Sequence, residues 1–399
     1  MRQVLWPLAG MLLTQTVASM VFLAVPVLGP EIASALAVAP ATVGYYSSLV
    51  FLAAMFVSAA VGPAIRRFGA VRMNQAGLAL SGLGLLLMLP ASLPLMVLSA
   101  LTVGTGYGPN TPSGSHVLAK VTPPRLQGLV FSIKQSGASL GGMVGGLLVP
   151  AVAVAAGWQA ALLTVLVLAL LAAAAVTPLH RRLDADRDPT QRLGLGQVWL
   201  MVRPVLTRPP LRRLTAMSFA FTALQMTLFT FFVTYLVQLG SFDLVRAGIA
   251  FAAMQVAGAV GRVLWGWVAD RTGAGRLILT LIGLGSLLSI VALVATAHTG
   301  DLLLVALVGA CCGATVSGWN GVFLAEVVRW AGGAEVGAAT GGVLFFTYAG
   351  LVVGPTLFAA TLKLTGSYDA MFVVFAAAAF VAGAALLWRF PSQRDGGSA

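Results

Sequence analysis

Gly62-Pro63-Ala64-Ile65-Arg66-Arg67-Phe68-Gly69 closes one long apolar run, and Gly266-Trp267-Val268-Ala269-Asp270-Arg271-Thr272-Gly273 closes another, 204 residues further on (266 − 62). The same offset pairs Gly44 with Gly248. A second correspondence joins Asn110 and Asn320, each set after small residues and ahead of a loop and another glycine-rich run. The chain therefore reads as two related units, and the fold follows from what those units are made of.

Outward from these stretches the sequence is apolar almost throughout: of 399 residues, 59% are hydrophobic, 9% are charged and 46 are glycine. That leaves too little polar surface for a soluble fold of this length, and lipid is the expected solvent. A bilayer core of about 30 Å takes roughly 20 apolar residues per helix. Twelve such stretches are predicted, at 6–28, 42–64, 72–92, 95–118, 127–150, 158–178, 214–238, 246–268, 275–296, 302–327, 337–361 and 369–389. The one long hydrophilic stretch, 179–213, carries eight arginines with Asp184, Asp186 and Asp188, and divides the spans six and six. The expected architecture is an all-α membrane protein of twelve transmembrane helices in two pseudo-symmetric six-helix bundles. The first bundle covers 1–178, a cytoplasmic linker 179–213, and the second bundle with a short tail 214–399. Within the linker, Val198-Trp199-Leu200-Met201-Val202 suits either a segment lying on the membrane surface or a solvated loop. Parallel six-helix repeats are an architecture of transporters, with the substrate held between the halves near the bilayer midplane.

A net charge of +12 would suggest nucleic acid in a soluble chain; here the basic residues report orientation. With the N-terminus inside, 19 fall on the cytoplasmic side, and Arg246 and Lys363 on the outer side. The remaining two, Lys134 and Arg262, fall inside spans. The chain is thus expected to be a multi-pass protein of a bacterial inner membrane with both termini cytoplasmic, and without a nucleic-acid partner. The first apolar run lacks a small-residue cleavage site and is expected to stay attached as the first helix. Cys311 and Cys312 are vicinal in an apolar span, which suits packing and not a metal or disulfide.

The segment Gly266–Gly273 resembles the signature loop of the major facilitator superfamily: Gly, three residues, Asp, Arg, one residue, Gly. The first-half copy keeps Gly62, Arg67 and Gly69 but has Arg66 where the family usually has aspartate. The resemblance thus puts the gating latch on Asp270 and Arg271, between Gly266 and Gly273. Gly261-Arg262, placed eight residues before the motif aspartate, is similar to the anion-handling branches, nitrate/nitrite, oxalate/formate, monocarboxylate and cyanate-type porters. In those an arginine of the eighth helix commonly binds the anion. The stretch Gly128-Leu129-Val130-Phe131-Ser132-Ile133-Lys134-Gln135, with Gly137, Gly141, Gly142 and Gly157-Trp158 after it, is most similar to bacterial cyanate-type and organic-anion members. Ser58 stands where the nitrate branch has a second arginine, which disfavours nitrate. The resemblance also implies coupling to a proton or an exchanged anion.

An embedded charge costs about 2.5–3.5 kcal/mol on insertion scales and needs a cavity or a partner. Arg262 lies eight residues from Asp270, roughly 12 Å into the membrane, and Lys134 nine beyond Arg125, roughly 13 Å in. Gln255, Gly258, Arg262 and Gly266 share one helix face, as do Lys134, Gly137, Gly141 and Gly145, and such small-residue stripes pack on other helices. Each cation is either a ligand-binding group or a structural one bonded to backbone carbonyls. None of the eleven carboxylates falls near the middle of a span, so the cavity is expected to be net positive and to take an anion. Arginine suits this role because its fork holds a carboxylate bidentately. Gln15, Asn110, Gln225, Asn320 and Tyr348 complete the candidate lining, each serving either a ligand or an interhelical hydrogen bond. His116 and Glu326 sit six residues after their asparagines, where they serve as gates or as solvated helix ends.

The leading reading is a secondary active transporter of a small anion, a monocarboxylate or related organic acid, working by alternating access as a monomer in the lipid bilayer. The alternative is efflux of amphipathic drugs along an aromatic lining near Phe229, Phe231, Phe232, Phe345 and Phe346. A membrane enzyme is disfavoured, because the sequence has no nucleophile–base constellation and no phosphate-binding loop, and no cofactor or metal is expected.

Overall fold

The computed structural model describes residues 2–123, 126–185, 187–190, 203, 205–239, 242–331 and 336–388. The 198–202 segment and the basic tail lie outside these residues. In chain order the helices are α1 (Arg2–Val27), α2 (Gly29–Ala35), α3 (Val43–Phe68), α4 (Ala70–Gly84), α5 (Leu93–Tyr107), α6 (Asn110–Val121), α7 (Gln127–Ala156), α8 (Trp158–Ala175) and α9 (Thr177–Leu183). They continue as α10 (Pro209–Leu239), α11 (Leu244–Thr272), α12 (Gly275–Thr296), α13 (Leu302–Val316), α14 (Asn320–Ala331), α15 (Val336–Thr365) and α16 (Tyr368–Ala384). Ten stretches among the described residues are long and apolar enough to cross a membrane. The expected spans 72–92 and 95–118 are each built from two pieces: α4 runs into a 3-10 turn at Leu85–Met88, and α5 gives way to α6 at Gly108-Pro109. Proline lacks the N–H that would continue the ladder, which accounts for the second break.

The helix ends follow local chemistry. Asp243 accepts a hydrogen bond from the Arg246 N–H (2.8 Å), Asp301 from Leu304 (3.1 Å) and Ser367 from Ala370 (3.2 Å), capping α11, α13 and α16. The last glycine of each repeated motif turns the chain out of its helix, Gly69 at φ +98° and Gly273 at φ +64°, where a Cβ would be strained.

Two seams join the first nine helices to the rest: α7 lies along α11, and α3 along α15. In both, glycine lets backbones touch. A Cβ on Gly146 would stand 2.9 Å from the Gly248 carbonyl oxygen, and one on Gly44 would stand 2.7 Å from that of Pro355. The Thr230 hydroxyl donates to Ser47 Oγ across the divide (3.0 Å). All of these contacts lie at the end remote from the arginine-rich helix termini. At the arginine-rich end, a Cβ on Gly62 or on Gly266 would meet nothing within 4 Å.

The start of the linker is bound to the first bundle. Asp184, 5% exposed, accepts hydrogen bonds from the N–H groups of Val71 (2.9 Å) and Arg72 (3.1 Å) in the first turn of α4. The Asp188 N–H donates to the Arg66 carbonyl (2.8 Å), and the Lys120 ammonium to that of Leu183 (3.2 Å). Beyond that clamp, the Thr190 hydroxyl and N–H both donate to Asp188, holding its carboxyl below the usual carboxylate range.

Candidate functional site

The broken helices supply the site. Between α13 and α14 the residues Ser317–Trp319 form a turn, and the carbonyl of Ser317 is left without a helical donor. Arg262 Nε donates to it (3.1 Å), as does Asn320 Nδ2 (3.4 Å), while Trp265 Nε1 takes the Ala314 carbonyl (2.9 Å). Helix C-termini carry partial negative charge, so this is a natural seat for a cation. Gly258 and Gly261 let α11 approach closely enough for the bond, since a Cβ on Gly258 would meet Ser317 and one on Gly261 would run into Ala314. Arg262 is half-buried and makes no other hydrogen bond to a described residue, so the two terminal nitrogens of its fork remain available.

Near that guanidinium lies a phenol. Tyr107 ends α5, just before the break, and its hydroxyl lies within reach of Ser19 and Gln15 of α1 and within electrostatic range of Arg262. Tyr348 of α15 neighbours Tyr107 and Ser58 of α3. The Tyr107 ring is braced edge-on by Phe22 (5.2 Å) and Phe51 (5.9 Å). Among the described residues no carboxylate pairs with Arg262. A guanidinium with open donors, bordered by hydroxyls and a buried glutamine, can bind an oxyanion.

Lys134 is placed differently. It is 1% exposed, its ε-carbon lies over Gly114 of α6 beside Met11 of α1, and its ammonium has no hydrogen-bond partner among the described residues. Asn110 (4% exposed) and Ser113 (fully buried), on the same face of α6, are also unpartnered. Leaving a buried polar group unmatched costs about 1–3 kcal/mol, and more for a charge. Gln15 links this group to the first. Its aliphatic part packs on Gly137, one turn along α7 from Lys134, and its amide reaches toward Tyr107.

Other candidate residues lie elsewhere. Gln225 accepts from Trp319 Nε1 (3.1 Å) inside the second bundle. Gln255 is buried in the α7–α11 seam, in the space a Cβ on Gly142 would occupy. Asp270 is exposed and pairs with no described residue, and Arg271 stacks on Trp267 at 5.2 Å instead of meeting it. The latch contact expected of Asp270 is therefore not made among the described residues, and Gly266 at the head of its motif faces open space. Cys312 donates to the Ser289 carbonyl (3.3 Å), consistent with packing, and Cys311 is exposed.

Sequence reasoning missed Tyr107 and misplaced two carboxylates, reading Asp184 as a linker charge and Glu326 as a gate or a solvated helix end. Tyr107 went unremarked, although its place directly before Gly108-Pro109 was a signal. Asp184, a charge within the linker by sequence, caps α4. Glu326 is 1% exposed, pairs with Arg329 (3.0 Å) and fills the space beside Gly275 at the start of α12. Each half thus sets a carboxylate at the N-terminus that follows its motif loop, where the helix dipole favours it. A pocket of about 230 Å³ near that loop, lined by Gly273, Gly275, Arg276 and Arg329 among others, is separate from the Arg262 group.

Residues 10–328 match the Major Facilitator Superfamily. The chain belongs to that superfamily. A gallate transporter of Pseudomonas putida is 29% identical over 244 residues, and the match covers 54% of this chain and 54% of that protein, about half the length of each. In fold the chain is similar to a bacterial homologue of the human lysosomal transporter Spinster in an inward-facing, unoccupied conformation. That match has a TM-score of 0.71 at 15% identity and covers 98% of this chain and 99% of the other. A peptide transporter, POT, in complex with sulfate gives a TM-score of 0.75 at 15% identity, covering 95% and 93%.

Proposed function

We propose that this protein is a secondary active transporter of a small organic anion, whose carboxylate is held by Arg262. The observation that carries the reading is the guanidinium fork of Arg262. It is seated on the Ser317 carbonyl through Nε, its terminal nitrogens are free, and no described carboxylate competes for it. The relative named for gallate, a carboxylate, supports the same substrate class. Efflux of amphipathic drugs is less well supported. Of the aromatics that would line that route, Phe231 stacks on Phe358 (4.8 Å), and Phe229 and Phe232 both pack on Phe251 (6.2 and 6.1 Å).

In this reading the arginine-rich end faces the cytoplasm of a bacterial inner membrane, because 19 basic residues lie on that side and two on the other. The seams closed at the remote end and open at the arginine-rich end then correspond to an inward-facing state. Transport proceeds by rocking the halves, with a proton or an exchanged anion as the coupled species.

The test is equilibrium binding of gallate and other small carboxylates to purified protein at equal folded concentration. Arg262→Lys keeps the charge but loses both the fork and the Nε anchor, so affinity should fall by roughly one to a few kcal/mol. Arg262→Ala should abolish binding. Wild-type affinity in the alanine variant would leave Arg262 a structural cation and sink the proposal.

A further inference from the structure

Several buried polar groups of the first bundle that lack partners among the described residues lie close together. Lys134 of α7 contributes its ammonium, Asn110 of α6 both amide atoms, Ser113 its hydroxyl, and Gln15 of α1 its carbonyl oxygen. All four residues are at least nine-tenths buried. Lys134 lies against the α6 face that carries Ser113 and Gly114, and Asn110 stands one turn back on that face. Gly137, against which Gln15 packs, is three residues or about 4.5 Å along α7 from Lys134. Gln15 in turn reaches Tyr107, which lies near Arg262. The unpartnered group therefore begins where the Arg262 group ends.

Its chemistry differs from that of a simple anion site. An ammonium offers donors only, but the amide and hydroxyl offer acceptors as well, and a halide or bare carboxylate would leave those acceptors unmatched. A hydroxyl group, which accepts from Lys134 and donates to an amide oxygen, uses both. We propose that Lys134, Asn110 and Ser113 form a second pole of the Arg262 site, so that the preferred substrate is a carboxylate carrying a hydroxyl group at the end remote from its carboxyl. This inference rests on the reading of the chain as a carboxylate transporter.

Benzoate and its hydroxylated forms are suitable probes, because the ring fixes the distance between the two ends. Equilibrium binding is measured for benzoate, 4-hydroxybenzoate and 3,4,5-trihydroxybenzoate on purified full-length protein. In the wild type the hydroxylated acids should bind tenfold or more tightly than benzoate. Lys134→Met should bring that ratio to about one, whereas Arg262→Gln should weaken all three acids in parallel. Asn110→Ala and Ser113→Ala, which are smaller changes, should each reduce the ratio severalfold and serve in place of Lys134→Met if that variant does not fold. A wild-type ratio near one, or a ratio untouched by these substitutions while the acids still depend on Arg262, overturns the second pole alone. Failure of every carboxylate to bind overturns the carboxylate reading with it.

Discussion

Replacing Gly146 by alanine sets a methyl group into the seam between α7 and α11. The new Cβ would stand 2.9 Å from the Gly248 carbonyl oxygen, 3.0 Å from Phe251 Cδ1 and 3.3 Å from the Ala252 nitrogen. Two of these three atoms are backbone and cannot rotate aside, so the helices must part by about 0.5 Å to restore ordinary contact. Overpacking of this kind costs about 1–3 kcal/mol, and only when the seam is shut. At about 1.4 kcal/mol per tenfold, the population with that end open should rise roughly 5- to 150-fold. The assay uses a cysteine at Ser47, which is 2% exposed and bonded across the divide to Thr230, in a background lacking Cys311 and Cys312. Gly146→Ala should speed its reaction with a water-soluble maleimide by about that factor. Gly266→Ala, where the added methyl meets nothing within 4 Å, should not speed it. Equal rates in wild type and Gly146→Ala would refute the idea that glycine contacts hold this end shut.

Asp184→Ala removes both acceptors from the first turn of α4 and leaves the Val71 and Arg72 N–H groups unmatched. It should cost about 2–3 kcal/mol in denaturant unfolding of the purified protein, and unchanged stability would deny the cap its role. Asp270→Asn, by contrast, should shift stability by less than about 0.5 kcal/mol, because Asp270 is exposed and pairs with no described residue. Turnover in proteoliposomes should nevertheless fall while substrate affinity holds, and undiminished turnover would remove Asp270 from the closing step.

The spans were legible because hydrophobic length is a local property, and so were the two motif loops, whose final glycines both adopt positive φ. The stripe Gly137, Gly141 and Gly145 could be read as a packed surface, and it does lie on α1, with Ser19 Cβ 2.8 Å from where a Cβ on Gly141 would be. The companion stripe was only partly legible. Gly258 packs on α13, yet Gly266 faces open space, because sequence does not say which of two arrangements a moving chain is in. Arg262 stood out by depth, but its bond to Ser317 depends on a turn 55 residues away. Asp184 and Val71 are 113 residues apart, and nothing in a run of linker charges marks one of them as a cap. Lys134 and Arg262 looked alike in sequence, each an embedded cation on a small-residue stripe. They differ in whether a free carbonyl happens to lie opposite.

The clamp at Asp184 also bears on where the chain can be cut. By hydropathy the first bundle ends near residue 178, so a gene divided there would seem to yield two tidy halves. The polypeptide ending at 178 would lack the carboxylate that closes α4 and the Asp188 N–H that rests on Arg66. A split placed after Thr190 keeps both with the helices they serve. The working unit of the first half thus reaches about a dozen residues past its last span, and a two-plasmid reconstitution should be designed around residue 190.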